Sequence, residues 1–435
     1  FAAIARPANA AILVKLRIDM EDRGGRIELL LPYATLEPVR ELYGDLFLWE
    51  VARTATYASA LANMKAWFEV IESTPATHAP YGGASAAAIA NITKRLLDED
   101  LIAEVGRVRG GRGQPAKMLA INADGCFSIG LNIDRDHITM VALDLVGRVR
   151  ARATREIDYA LPSAVGKFFK KEIDSFFGKA GIPRSKVIGV GVAVPDDLGR
   201  VALPHRPANY AAWNDVNVAS LFSDILPLPV YVENDATAAA VGEMQFGHGL
   251  KRPSFFYMLL TSGLGGGLVI DGAYIRGASG RSGEIGFLPL RAKKDTRTLQ
   301  DVVSLSALYE HLAASGYEVS TPHALEKLDE QGRAALNEWI GAAARHLIEP
   351  IISVICLINP HAVLIGGRLP SFVSDALAEK LNNALAKRAD ELPATCAVER
   401  AAIAEDAPAV GAAILPFSAQ LFPTRSALLK TAVPA

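Results

Sequence analysis

The chain has 435 residues, half of them apolar and 21% charged, with a formal net charge of −2. Such a length exceeds one compact domain and predicts two to four, and the near-neutral balance gives no whole-chain case for a nucleic-acid or membrane partner. Cys126, Cys356 and Cys396 lie too far apart for a metal-binding pair or a disulfide ladder, which fits a reducing compartment.

Residues 1–50 read as a piece of something larger. Ile12 to Met20 alternates apolar and polar side chains, Gly24-Gly25 is expected to turn the chain, and Ile27 to Leu31 continues as a second strand. A short helix is expected near 36–42. One hairpin and one helix bury too little surface to stand alone. The stretch from Arg6-Pro7-Ala8-Asn9 to Pro38-Val39-Arg40 resembles the end of the middle domain of a flagellar motor switch protein, over about 40 residues. That is a small part of such a domain, and no motor role is expected from it.

Residues 58–71 predict a helix, and residues 85–99 another. In the second, Ile89, Ile92, Leu96 and Leu97 share one face, and Ser85 stands at the N-cap position. A strand over 101–105, a glycine-rich turn over 106–115 and a returning strand over 117–121 follow. A helix and a two-stranded wing make the pattern of a winged helix-turn-helix. Arg107, Arg109, Arg112 and Lys117 bring four positive charges to a stretch, 105–123, that holds no acid. Such a wing neutralises phosphates or enters a minor groove, and equally serves as a solvated basic loop. Ser85, Asn91, Lys94 and Arg95 are the polar groups that the helix offers to DNA, although Ala86-Ala87-Ala88 gives little to read bases. The helix expected before it, around 74–83, carries Pro80 and two glycines that disfavour regular helix.

From Cys126 the chain alternates strands and helices. Strands are predicted at 127–133, 138–145, 148–155 and 187–194, the last a continuous apolar run of the kind buried on both faces. Helices at 162–180, 216–225 and 235–246 flank a strand at 230–233. The order then restarts with strands at 255–260 and 267–271, a helix over 333–358, a strand at 362–365 and a helix over 371–391. This duplicated βββαβα order implies two α/β lobes with a cleft between them, and ligands in such folds sit where strand ends meet helix starts.

Four segments carry candidate chemistry. In Glu233-Asn234-Asp235-Ala236-Thr237 a carboxylate at a strand end could take a proton from a sugar hydroxyl, and the amide could bind hydroxyls. The same residues would also serve as a plain helix N-cap. Thr261-Ser262-Gly263-Leu264-Gly265-Gly266-Gly267 suits a phosphate approached by backbone N–H groups, or a tight hairpin. Glu284, between Gly283 and Ile285-Gly286, could hold two hydroxyls. Val363-Leu364-Ile365-Gly366-Gly367-Arg368 ends a buried strand in two glycines, suited to a base or ribose or to a strand-to-helix turn.

Taken together with the wing 111–116, Asn209, Trp213-Asn214-Asp215 and Gly411-Ala412-Ala413, these segments resemble the ROK family of repressors, open reading frames and sugar kinases, from about Ser85 to Ala419. The resemblance implies an actin-like two-lobed sugar-kinase fold preceded by a winged helix-turn-helix. It implies a switch-like segment at 1–50, the DNA-binding domain at 51–124, a first lobe at 125–245 with 404–419, a second at 246–403, and a tail at 420–435. It assigns sugar contacts to Asn209, Asn234, Asp235 and Glu284, and a phosphate-loop remnant to Thr261, Gly263, Gly265 and Gly266. It also implies that the last helix packs back onto the first lobe.

Two family features are missing. The first phosphate loop, Asp-x-Gly-Gly-Thr in the family, reads Asn132-Ile133-Asp134-Arg135-Asp136 here, so a phosphate would meet carboxylates and bulky side chains. The family's zinc site needs a histidine where Phe287 stands and cysteines within 288–300, which holds none; Thr298 and Gln300 replace the last cysteine and the following glutamate. Asp196 replaces a usual glycine. The expectation is therefore a sugar-responsive transcriptional regulator, a repressor by family habit, with no zinc, little use for ATP and no enzyme activity. Its partners would be operator DNA and a sugar or sugar phosphate. A homodimer or homotetramer is expected, in the cytoplasm, with no membrane span. The alternative is an ATP-dependent sugar kinase with Asp235 as its catalytic base.

Overall fold

The structure, a computed structural model, describes residues 11–20, 23–32, 86–108, 116–196, 198–200, 206–290, 296–403 and 405–421. The chain divides into two compact units, one of Phe1–Ala55, Ser59–Asn122 and Pro423–Ala435, the other of Thr56–Ala58 and Ala123–Phe422.

In the first unit, β1 (Ala11–Met20) and β2 (Arg23–Pro32) form an antiparallel hairpin. Met20 faces Arg23 and Ile18 faces Gly25. The glycines expected to make the turn therefore lie inside β2. A helix, α1 (Ala86–Asp98), precedes an antiparallel ribbon of β3 (Ile102–Val108) and β4 (Ala116–Ile121). Asn91, Lys94 and Arg95 are exposed on α1, while Leu96 and Leu97 turn partly inward. Arg95 pairs with Glu99 one helical turn on, at 2.8 Å. Arg107 stands on β3 opposite Lys117. Ser85, Arg109, Arg112 and the helices expected at 36–42, 58–71 and 74–83 lie outside the described residues.

The second unit is built twice over. Its first half holds β5 (Phe127–Ile133), β6 (His137–Asp144), β7 (Val149–Glu156), α2 (Pro162–Gly178), β8 (Val187–Val194), α3 (Val218–Ser223), β9 (Val230–Asn234) and α4 (Asp235–Phe246). The second half repeats the order with β10 (Phe255–Leu260), β11 (Leu264–Ile270), β12 (Ala273–Tyr274), α5 (Leu305–Ala314), α6 (Glu330–Ile358), β13 (Ala362–Gly367), α7 (Ser371–Ala386), β14 (Ala397–Arg400) and α8 (Ala407–Leu421). The two sheets run β7-β6-β5-β8-β9 and β12-β11-β10-β13-β14, the same order in each, with the first three strands antiparallel and the rest parallel. Sequence periodicity misses β12, β14 and α5.

Every residue of β5 and β6 is buried, because both faces of the first sheet are covered. Phe168, Phe169, Ile173 and Phe176 of α2 join the core on one side, with Phe169 edge-on to Phe222 at 5.0 Å. On the other side lies α8, against β5, β8 and α4, so the last helix does return to the first lobe. It comes so close that a Cβ on Gly191 of β8 would stand 1.8 Å from the Ala412 carbonyl oxygen. Ser128 of β5 donates a hydrogen bond to the Ala413 carbonyl of α8. Glu243 of α4, fully buried, accepts from the backbone N–H groups of His248, Ala402 and Ile403, each at 2.9 Å. One carboxylate thus ties the end of α4 to the segment after β14 that leads back into the first lobe.

By length and hydropathy α6 could span a membrane. Here Trp339, Ile340, Ala343, Leu347, Ile351 and Ile355 are part of the second lobe's core, while Arg333, Asn337, Glu338 and Arg345 face solvent. It is an amphipathic core helix.

The sheet-to-helix approach gives a direct test. Gly191→Ala must push α8 away and is expected to cost about 3 kcal/mol or more of stability by urea unfolding. Gly178→Ala, at a position with nothing within 4 Å, should stay within about 1 kcal/mol of the parent protein.

Candidate functional site

The ends of β9, β10 and β11 meet at a cleft with about 430 Å³ of open space, counted out to solvent. Asn234, Asp235 and Glu284 line it together, with Thr261, Asp196 and Gln300. Asn209, on the turn 208–215, is exposed and is not among the lining residues.

Both readings of the segment after β9 apply at once. Asn234 Oδ1 accepts from the Thr237 N–H at 2.9 Å, which caps α4, and leaves the amide nitrogen for a ligand. Asp235, 7% exposed, accepts from the Ala236 N–H at 2.7 Å. Burial, with the charge of Asp134, pushes its carboxyl up to about 7, although Arg135 pulls the other way. Glu284 rises to about 8 through burial and its hydrogen bond with Asp196, opposed by Arg281. Arg281 Nε stands 3.3 Å from Asp196 and 3.6 Å from Glu284. The cleft therefore offers hydroxyl-binding groups that both donate and accept near neutral pH.

The glycines of the second motif serve packing more than openness. The loop is only Thr261–Gly263, since β11 begins at Leu264. Gly263 and Gly265 line the cleft. A Cβ on Gly266 would meet the Gly283 carbonyl oxygen at 2.2 Å, so this glycine lets the Glu284 loop rest on β11. At the end of β13 a Cβ on Gly366 would strike the Tyr257 hydroxyl at 1.8 Å. That strand end is filled by protein, which favours the turn reading over a bound base.

The segment 132–136 is a charged, enclosed turn. Asp134 is 1% exposed, and its Oδ1 accepts from the Arg135 N–H at 2.7 Å. The Arg135 guanidinium crosses the cleft, its Nη1 3.0 Å from the point where a Gly263 side chain would begin. Asp136 sits 2.7 Å from His137 Nδ1 and 3.0 Å from Arg368 Nη1. Burial alone would lower the His137 pKa, but the hydrogen bond and charge of Asp136 outweigh it and hold the imidazole above its ordinary value. A charged imidazole donates from both nitrogens. Turning the Asn132 amide over would then place its otherwise unpartnered Oδ1 against Nε2, where Nδ2 now stands at 3.2 Å.

Nucleotide phosphates do not fit this arrangement. The room beside Gly263 holds a guanidinium, and the adjoining turn presents two carboxylates. Asp134, Asp136 and His137 have ligand atoms within 4.8 Å of one another, but Arg368 already occupies the free side of Asp136, which disfavours a metal cation. The family's zinc does not fit either: Phe287 lies 46% exposed with Arg281 over its ring at 5.7 Å. The sequence names Asp136 and Arg368 but gives no sign that they meet, nor that Glu156 joins them. An Asp-Arg-Asp-His turn between two apolar strands was the one available signal.

Residues 128–418 match the model of the ROK family, and residues 1–48 that of the flagellar motor switch protein FliM, so both resemblances seen in the sequence hold. An uncharacterized protein of Sinorhizobium fredii is 28% identical over 349 residues, 79% of this chain and 86% of that one. The xylose repressor of Caldicellulosiruptor bescii is 25% identical over 323 residues, 69% of this chain and 80% of the repressor. A crystal structure of a ROK family transcriptional regulator, a homologue of the E. coli MLC protein, has a TM-score of 0.57 at 24% identity, over 77% of this chain and 89% of that one. That likeness establishes the fold.

Raised carboxyl groups weaken the folded state as pH climbs from the ordinary carboxylate range through their folded values, about 7 for Asp235 and about 8 for Glu284. The raised His137 acts in the same direction, since its contribution is full below about pH 6.5 and fades as pH rises through its folded value. The melting temperature is expected to fall between pH 5.5 and 8.5, and Asp235→Asn to flatten that fall. A profile that rises over this range, or an unchanged slope in the variant, would contradict the assignment.

Proposed function

The chain belongs to the ROK family, and on that footing we propose that it is a sugar-responsive DNA-binding transcriptional regulator, a repressor, whose kinase-like domain binds its effector without phosphorylating it. The observation that carries this reading is the charged turn at 134–136, with the Arg135 guanidinium beside Gly263 and Asp136 bound to His137 and Arg368. Phosphoryl transfer needs a positioned phosphate and a metal ion, and neither has a place there. Similarity to a xylose repressor and to a ROK transcriptional regulator supports the same reading.

In this proposal Asn234, Asp235 and Glu284 hold the hydroxyls of a sugar or sugar phosphate, with Asn209 and Gln300 as further contacts. No zinc or ATP takes part. Ligand binding changes the angle between the lobes and, in a homodimer or homotetramer in the cytoplasm, the spacing of two DNA-binding heads. Those heads would be winged helix-turn-helix domains, reading DNA through Ser85, Asn91, Lys94 and Arg95 and gripping phosphates through Arg107, Arg109 and Arg112. The segment 1–48 covers too little of a motor switch protein to support a motor role.

One observation favours the alternative, an ATP-dependent sugar kinase. A buried Asp235 with a pKa of about 7 is well matched to take a proton from a sugar hydroxyl.

Two assays separate the readings. A thermal-shift screen against mono- and disaccharides and sugar phosphates should find a ligand that raises the melting temperature by mass action. Fluorescence anisotropy with DNA from upstream of the gene should show salt-dependent binding that this ligand weakens by about tenfold, an ordinary allosteric coupling. Asp235→Ala should lose the response to sugar while keeping DNA affinity. Phosphate transfer from ATP to a hexose or pentose at a sugar-kinase rate would decide for the alternative. DNA binding that no sugar alters would remove the regulator reading.

A further inference from the structure

Among the described residues, three arginines of the second lobe form ion pairs across to the first, and all run the same way. Arg276, Arg281 and Arg368 belong to the second lobe; their partners Glu233, Asp196, and Asp136 with Glu156 belong to the first. Two of these arginines stand partly in water, Arg276 with 56% of its side chain exposed and Arg281 with 39%. Pairs so exposed are screened and hold little. Arg368 differs. Its side chain is 5% exposed, and its fork reaches Asp136 at 3.0 Å from Nη1 and both oxygens of Glu156 from Nη1 and Nη2. Forked, enclosed contacts of this kind are the strong ones, and they also fix direction.

The surroundings reinforce the pair. Asp136 is backed within its own turn by His137 at 2.7 Å. Glu405, on the return crossing, lies 3.9 Å from Arg368. Tyr309 of α5 faces the same group, feeling the charges of Asp136, Arg368 and Glu156. Arg368 is also set at the strand end, with its N–H donated to the Leu260 carbonyl of β10 at 2.9 Å. It cannot shift without moving the second sheet. The contact lies in the turn where the family pattern expects a phosphate loop, so lobe closure here needs no nucleotide.

We propose that Arg368, Asp136 and Glu156 form an interlobe latch, which holds the two lobes at one angle in the absence of any ligand. The chain's own guanidinium bridges the lobes where a bound nucleotide would otherwise do so. The latch keeps the walls of the cleft, Asp235 on one lobe and Glu284 on the other, within reach of a single small ligand. It sets the resting angle that a ligand has to shift, and opening it populates other angles before any ligand binds.

The test reads the angle directly and needs neither sugar nor DNA, so it stands apart from the regulator reading. Spin labels go on the full chain at exposed Lys170→Cys in the first lobe and Lys380→Cys in the second, with exposed Cys356 changed to Ser. Electron–electron double resonance should give one narrow intramolecular distance in this background. Arg368→Met and Glu156→Gln should each broaden it and add a second population. Arg388→Met, which breaks ion pairs with Glu349 and Glu391 that stay within the second lobe, should leave it narrow. Glu156 is 49% exposed, so its variant keeps the test decisive if Arg368→Met does not fold. A distribution in Glu156→Gln identical to the background, or equal broadening in Arg388→Met, would overturn the latch.

Discussion

A guanidinium shut away from water must meet carboxylates, and the second unit is arranged around one that does. Arg368 is 5% exposed, and its partners lie more than two hundred residues away in sequence. Removing one member of so enclosed a pair costs about 3–5 kcal/mol, whereas an exposed pair is worth about 1 kcal/mol at most. By that measure Arg368 outweighs Arg276 and Arg281 in fixing how the lobes stand. It also explains why the turn 134–136 tolerates burial. Asp136 is answered by His137 and Arg368, whereas Asp134 has one oxygen answered by the Arg135 N–H and the other without a partner among the described residues.

The same demand for paired groups and close contact shapes the passage between lobes. The chain leaves the first lobe through α4 and returns through α8, and the two helices touch along small residues: a Cβ on Gly411 would lie 1.6 Å from the Ala238 carbonyl oxygen. Glu243 gathers three backbone N–H groups at this crossing, two of them from the segment that follows β14. Helices in such close contact turn as a body rather than bend, so relative motion of the lobes is confined to the cleft side, where Asn234, Asp235 and Glu284 stand.

Much of this was legible in the sequence, and the parts that were not share a cause. The apolar runs at 127–133, 187–194 and 255–260 predicted their strands nearly to the residue, because strands buried on both faces need continuous apolar side chains. β12 has two residues and β14 four, too few to show a period. The hairpin turn was misplaced because glycine pairs are read as turns, whereas Gly24 and Gly25 sit within a strand. In the site, Asn234, Asp235 and Glu284 line one cleft: the first two stand where β9 gives way to α4, and Glu284 is set by a loop that rests on β11. The Arg368 fork was invisible, because no local pattern records a contact between positions 136, 156 and 368. The glycines at 265–267 suited either a phosphate or a tight hairpin; in the fold β10 and β11 pair as a hairpin, and these glycines give their space to neighbouring backbone and side chains.

The account rests on the claim that the ground where a nucleotide's phosphates would lie is taken by Arg135, Asp136 and their partners. Calorimetric titration of the full chain with magnesium-ATP, with and without a bound sugar, tests it most directly. The account predicts no saturable heat up to millimolar nucleotide in either state. A one-to-one binding curve with a micromolar Kd would contradict it.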